Sequence, residues 1–366
     1  MLVDGGKSER QLPDLFKIHT GTSGVDILVC THNDADHANG ILGFLKSSLR
    51  CQEIWLPGSW ISIPAQVFMT WSALIVELIK DINSIDDESL KRIEDATELE
   101  SYARVIENET ASMGPPREEV DLVNGWPPDW VEGLESRENI SENSFLNPGV
   151  PWIIASFFYK NNDLKVALLL SAINAAKRIR QIAEEAYHRN LKIRWFEFDL
   201  KTPEGGDPKL LPLNSREVAW AGRSSGITLL KFIALTVSNR QSLVFCAPGN
   251  KEDDGVLFTA DSDLSNIKIC GKLRISLCTV PHHGSEANRY AYGNCSIDFN
   301  LKNLTWVRSD GRFSKRPGAS FLIKAAIRYC TMCRTGQGAF TDKRVVSLSY
   351  RNSLWNPSPA SRCECV

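Results

Sequence analysis

Apolar positions along the 366-residue chain follow two rhythms that alternate with position. Near the start, Val25-Asp26-Ile27-Leu28-Val29-Cys30 is a short apolar run of the kind that buries as a strand. Ala38 to Leu45 then reads as the opening of a helix. Met1 to Gly6 looks like a strand end entering a Gly-Gly turn, residues 7–24 read as loop, and Cys51 to Pro57 as a second buried strand. From about Pro64 the period lengthens. Trp71, Leu74, Ile75, Leu78, Ile79 and Ile82 fall three and four apart, which predicts an amphipathic helix. Leu90, Ile93, Leu99, Tyr102 and Ile106 predict another, with an acidic outer face. Met113 to Pro151, with Gly114-Pro115-Pro116 and Trp126-Pro127-Pro128, reads as linker or irregular cap. Residues 173–188 return to a helical pattern, and Leu191 to Phe198 to a strand.

After about residue 225 strands dominate. Leu229–Val237 and Ser242–Cys246 flank Ser238-Asn239-Arg240-Gln241 as a hairpin. Gly255 to Asp261 is an apolar strand ending on a carboxylate, and Arg274 to Val280 another that ends in Pro281-His282-His283-Gly284-Ser285. Trp306–Arg308 and Val345–Leu348 are expected to close the sheet, with a helix over Ala319–Tyr329 between them. The pattern therefore divides the chain into an α/β scaffold in two parts, 1–61 and 191–350, a mainly helical insertion at 62–190, and a loose tail at 351–366.

Composition narrows this picture modestly. A 43% hydrophobic, 23% charged chain can bury a sizeable core, and a net charge of -2 announces no global nucleic-acid field. No run of about 18 apolar residues suggests a membrane span. The first residues lack the basic, apolar and small-residue order of a signal peptide, so the ten cysteines are expected to be reduced in a cytoplasmic chain. Cys330 and Cys333 with Cys363 and Cys365 offer a structural zinc site of unusual spacing.

Chemistry concentrates at strand ends. Thr31-His32-Asn33-Asp34-Ala35-Asp36-His37 puts two imidazoles and two carboxylates directly after an apolar strand. Buried together without a cation, such groups repel and pay desolvation. The mixed set suits Zn²⁺ or Mn²⁺ better than Ca²⁺, which prefers oxygen alone. Asp261 and the pair His282/His283 end two further strands, so four of six histidines occupy two strand-end motifs. In open α/β sheets, ligands gather at the carboxyl ends of strands. His19 and His188 lie outside any motif and read as surface or structural residues.

Asp4-Gly5-Gly6, His32-x-Asp34-x-Asp36-His37, Phe258-Thr259-Ala260-Asp261 and Pro281-His282-His283-Gly284-Ser285 resemble, in order, the motifs of the metallo-β-lactamase fold. The nearest branch is the hydrolase domain of ComEC-type DNA-uptake proteins: Asp34 stands where many relatives carry histidine, and Asn239-x-x-Ser242-Leu243-Val244 matches a strand of that branch. The likeness covers about residues 1–60 and 190–350. It implies a four-layer αβ/βα sandwich with one or two Zn²⁺ or Mn²⁺ ions. By the resemblance, His32 and Asp34 hold one metal, Asp36 and His37 the other, Asp261 bridges, and His282 or His283 completes the second site. Asp36 and Asp261 are the candidate catalytic residues, with Asp36 orienting the nucleophilic water. Asp4 is expected to support the histidines by hydrogen bonding, and Ser285 to reach a substrate phosphate. Relatives often carry a late Gly-His-Pro turn and an N-terminal strand hairpin. Here Gly311 to Gly318 has no histidine, and Arg312, Lys315 and Arg316 are available to clamp an anion instead.

The expectation is a metal-dependent phosphodiesterase or nuclease acting on nucleic acid or a nucleotide phosphodiester. The alternatives are a partner-binding effector or scaffold that docks through the helical insertion, and a hydrolase of small esters or thioesters.

Overall fold

The computed structural model describes residues 1–63, 66–69, 71–84, 118–135, 149–160, 163–223, 241–250, 254–267, 273–292, 304–309, 316–325, 327–331, 345–352, 354–358 and 363. The helix expected over Leu90–Ile106, the strand Leu229–Val237 with most of its turn, Arg312, Lys315, Cys333 and Cys365 lie outside them. The chain is a mixed α/β protein in two compact units: Met1–Phe196 with Val218–Ser238, and Glu197–Glu217 with Asn239–Val366.

In the first unit, Leu2–Val3 (β1), Gly24–Val29 (β2), Arg50–Pro57 (β3) and Lys192–Phe198 (later β5) are neighbours in one sheet, all parallel. Val3 lies opposite Val29 and Val29 opposite Trp55, so the carboxyl ends of these strands share one edge. Apolar runs without alternation suit strands covered on both faces. Helices α1 (Gln11–Thr20) and α2 (Ala35–Lys46) connect them. α1 corrects the reading of 7–24 as loop: Phe16 is buried, Leu12 packs beside it against the core, and Gly21 ends the helix at φ 65°. A glycine there avoids the Cβ strain of left-handed backbone.

The helices α3 (Gln66–Met69), α4 (Trp71–Ser84), α5 (Pro128–Glu135), α6 (Gly149–Lys160) and α7 (Asp163–His188) pack into the same core. The Pro/Gly/Trp-rich stretch is not merely a cap. Trp126, Trp130 and Leu134 are buried, and α5 is a helix. Trp130 Nε1 donates to Ile63 O at 3.0 Å and Trp195 Nε1 to Gly125 O at 2.6 Å, so the indoles are buried with their N–H groups satisfied. Glu118–Asp121 (β4) pairs antiparallel with Trp220–Arg223 (later β8).

The second unit holds Leu211–Pro212 (β6), and the chain re-enters the first unit within Ser215–Val218 (β7) before β8. Its main sheet has the order β13-β12-β11-β10-β9-β6, built from Phe245–Ala247 (β9), Gly255–Phe258 (β10), Ile275–Thr279 (β11), Thr305–Arg308 (β12) and Ile327–Cys330 (β13). β10 to β13 run parallel, while β9 pairs antiparallel with both β10 and β6. Here the expectation of one helix over Ala319–Tyr329 is corrected: the helix is Ala319–Lys324 (α8), and Ile327–Cys330 becomes the edge strand. β-branched and aromatic residues at 327 and 329 favour the pleated surface over a further helical turn. Ser347–Arg351 (β14) pairs with Leu354–Ser358 (β15) as a separate hairpin instead of closing the larger sheet. No helix among the described residues is long and apolar enough to cross a membrane.

Candidate metal centre

Parallel register brings Asp4 beside Thr31. Asp4 directly follows β1 and Thr31 comes two residues after the end of β2, and Asp4 N donates to Val29 O at 2.9 Å. Asp4 itself sits at φ 57°, an uncommon conformation for a residue with a side chain. Three hydrogen bonds hold it there. Thr31 N donates to Oδ1 at 2.9 Å, Thr31 Oγ1 to Oδ2 at 2.8 Å, and His37 Nδ1 to Oδ2 at 2.8 Å. Burial pushes the Asp4 carboxyl up, but the charges and hydrogen bonds of His37, His32 and Thr31 outweigh it and hold its pKa below the ordinary value. The carboxylate is therefore ionised at neutral pH and can only accept.

The glycines after Asp4 make this possible. Gly5 N donates to His37 O and Gly40 N to Gly6 O, each at 2.8 Å, so the turn lies directly on α2. A Cβ on either Gly5 or Gly40 would run into the other's backbone.

Carbonyls of the motif are also tied. The Cys30 thiol donates to His32 O at 3.2 Å, and burial raises its pKa well above the free value, so it stays protonated. Arg178 Nε, on α7, donates to Asn33 O at 2.9 Å, and Asn33 Nδ2 donates to Ala175 O at 3.2 Å. Asp34 occupies the cap position of α2, yet its side chain makes no capping hydrogen bond; its carbonyl accepts from His37 N and Ala38 N. The carboxylate instead faces His32, with Oδ2 3.9 Å from Nε2.

In the second unit, parallel β10, β11 and β12 deliver Asp261, His282/His283 and Ser309 to one sheet edge. Ala260, His282 and His283 have φ values of 46°, 45° and 54°, a bent path that hydrogen bonds support. His282 N donates to Ala260 O at 3.1 Å, and Arg308 Nε to His283 O at 2.7 Å. Arg308 is 2% exposed, so it is a buried brace for this turn. His282 Nδ1 meets Asn288 Oδ1 at 3.1 Å, and Asn288 Nδ2 donates to Asp261 O at 2.8 Å, which fixes the amide orientation. His283 Nδ1 donates to Ser309 O at 3.0 Å. His282 Nε2 lies 3.5 Å from Asp261 Oδ2, and Arg316 also rests against that nitrogen. Ser285 has its hydroxyl turned to Ala287 N at 3.3 Å, capping a short turn of helix.

One rule unites the four imidazoles. His37 Nδ1 faces a carboxylate, His283 Nδ1 a carbonyl and His282 Nδ1 an oriented amide oxygen. The Thr31 hydroxyl gives its proton to Asp4, so it can only accept from His32 Nδ1. Each Nδ1 must carry the hydrogen, and each Nε2 carries the lone pair a metal would use.

The donor set suits a metal ion. Asp4, His32 and His37 each bring one nitrogen or oxygen atom to within 4.8 Å of one another, so the two imidazoles are gathered around the carboxylate that orients them. The Nε2-to-carboxylate separations of 3.9 and 3.5 Å are too long for good hydrogen bonds. They approach the roughly 3.4 Å between two ligands placed about 2.05 Å from one tetrahedral zinc.

Thr31, Asn33, Arg178, Asn288 and Arg308 all serve this chemistry without having been singled out as ligands' supports from sequence. Thr31 and Asn33 lie inside the motif and Asn288 is six residues past His282, so local inspection could have found them. For Arg178 the sequence carries no signal. Compared with family models, curated proteins and solved structures, the chain finds no match.

Proposed function

We propose that this chain is a metal-dependent hydrolase of phosphodiesters, most simply a nuclease. The observation that supports it is the common Nδ1–H commitment of His32, His37, His282 and His283, which presets four Nε2 atoms as ligands. The phosphodiester as substrate rests on the ComEC-like motif order. In this reading His32, Asp34, Asp36 and His37 are the metal-binding side chains of the first unit, Asp261 with one or both of His282 and His283 are those of the second, and the ion is Zn²⁺ or Mn²⁺, one or two per chain. When bound, such an ion polarises a phosphoryl oxygen and eases deprotonation of water.

The chain's own groups do the rest. Asp4 and Thr31 keep the two imidazoles of the first motif from rotating, and Asn288 does so for His282. Asp36, in the first turn of α2, is the group proposed to orient the attacking water and take up its proton. Arg316, positioned at His282, is the cation proposed to meet a phosphate in that unit.

The test is incubation of wild type and Asp36→Ala with single- and double-stranded DNA in Mn²⁺, alongside metal analysis. Cleavage by wild type alone, with one or two metals per chain, is the expected result. Equal cleavage by both identifies a contaminant, and cleavage of thioesters alone ends the nuclease reading.

A second reading, docking of a partner on the insertion, is favoured by the exposure of Tyr159 (93%) and Leu170 (43%) on α6 and α7. It gains if neither protein cleaves.

A further inference from the structure

Arg316-Pro317-Gly318 is docked on the His282–His283 turn by its backbone as well as by a side chain. Gly318 N donates to Gly284 O at 2.7 Å, and a Cβ on Gly284 would come within 3.3 Å of Pro317. Arg316 is half-buried, with its guanidinium against His282 Nε2.

The start of this segment is held by Arg308. That residue is 2% exposed, too deep to touch a polymer substrate. Sheet register explains its place: β12 and β13 set Arg308 opposite Cys330, and Nη1 donates to Cys330 Sγ at 3.2 Å. Nε donates to His283 O at 2.7 Å, and Nη2 to Arg316 O at 3.4 Å. One guanidinium thus gives each of its nitrogens to a different stretch of chain: the edge strand, the His-His turn and Arg316. A planar, rigid fork imposes its own geometry on its acceptors. If either carbonyl shifts, the other must follow or a buried donor goes unmet. The tether does not involve His282 Nε2, so it holds whether that lone pair serves Arg316 or a metal ion.

We propose that Arg308 couples substrate contact to the metal turn: a positioning residue that fixes, through one side chain, the carbonyl of His283 and the carbonyl of Arg316. The inference rests on the reading of Arg316 as the cation that meets a phosphate. It predicts that a buried arginine controls an ionic contact made at the surface by its neighbour, which a purely structural brace would not do.

The experiment is binding of a short fluorescein-labelled oligothymidylate to the full-length protein, followed by anisotropy over a salt series. The proteins are wild type, Arg316→Met, Arg308→Met, Arg308→Lys and the double variant Arg308→Met/Arg316→Met. Chelator prevents cleavage and keeps the readout independent of metal, and urea midpoints set conditions in which each protein is folded. Arg316→Met should weaken binding about tenfold. It should also lower the slope of log affinity against log salt by about 0.7, the share of one phosphate on a single strand. Arg308→Met should do the same although residue 308 is buried, and the double variant should be no weaker than either. Arg308→Lys keeps the charge but carries its donors on one nitrogen, which cannot span both carbonyls. It should match Arg308→Met, and it carries the test if Arg308→Met does not fold.

Wild-type binding and slope in Arg308→Met or Arg308→Lys, beside a weakened Arg316→Met, overturns the coupling and leaves the phosphate contact standing. A double variant weakened by the product of the two single effects does the same. Unaltered binding by Arg316→Met, or no binding by wild type, overturns the phosphate role of Arg316 and this inference with it.

Discussion

The two histidine-bearing regions reach the same chemical state by different routes. The first places His32, Asp34, Asp36 and His37 on one strand-turn-helix and fixes them with a charged partner, Asp4, docked through glycine-to-backbone contact. The second draws Asp261 and His282/His283 from two strands and fixes them with neutral partners: the Asn288 amide, the Ser309 carbonyl and the buried Arg308 brace. A local motif can rely on one ionised residue because its parts are already close. An assembled one depends on backbone conformation and on hydrogen bonds that span strands. The two should therefore fail in different ways.

The largest expected effect breaks the first region at its contact. Gly40 is inside a helix, where alanine is ordinarily worth up to about 1 kcal/mol of stability. A Cβ there would strike the Gly5 backbone, so Gly40→Ala is expected to destabilise by about 3 kcal/mol. The urea midpoint decides between the two signs. A rise would mean the Asp4 turn does not rest on α2.

The next effect belongs to the second region. Arg308→Met removes the donor to His283 O and leaves a buried carbonyl without it, at a cost of about 2 kcal/mol. Gly284→Ala should cost about 1–2 kcal/mol for a different reason, because Gly284 has φ 88° and left-handed backbone penalises a Cβ. Both are read as denaturant midpoints. If Gly284→Ala proves neutral, the bent His-His turn is not held as described.

How much of this was legible in sequence follows from the same contrast. The strands ending at Cys30, Asp261 and Val280 announced themselves because apolar runs bounded by polar turns are local facts. So did the His/Asp motif, whose metal-capable side chains span six residues. What local periodicity could not see was tertiary. Arg178 and Asn33 meet across 145 positions, and nothing in α7's pattern distinguishes Arg178 from Arg180. Trp126 and Trp130 looked like linker because proline and glycine surround them, yet ring packing and satisfied indole N–H groups bury them. The helix expected through Tyr329 failed because pairing with β12 takes residues 327–330 into the sheet.

The smallest effect separates the regions by pH. Asp4→Asn keeps the shape of the His37 partner but removes its charge, and Asn288→Ala removes a neutral partner. Metal affinity should fall about ten- to a hundredfold in Asp4→Asn, the usual consequence of losing an outer hydrogen-bond partner. Stability in chelator gives the finer discrimination. Asp4 has a lower pKa folded than unfolded, so its ionisation favours the folded state. That contribution is fully present above the unfolded value of about 3.9 and is lost as pH falls through the folded one. The gap between wild type and Asp4→Asn, about 1–2 kcal/mol at pH 7, should thus shrink once pH drops below about 4. The gap for Asn288→Ala has no ionisation of residue 288 behind it and should stay flat over the same range. If the two gaps vary alike with pH, the distinction between a charged and a neutral route to the same tautomer is wrong.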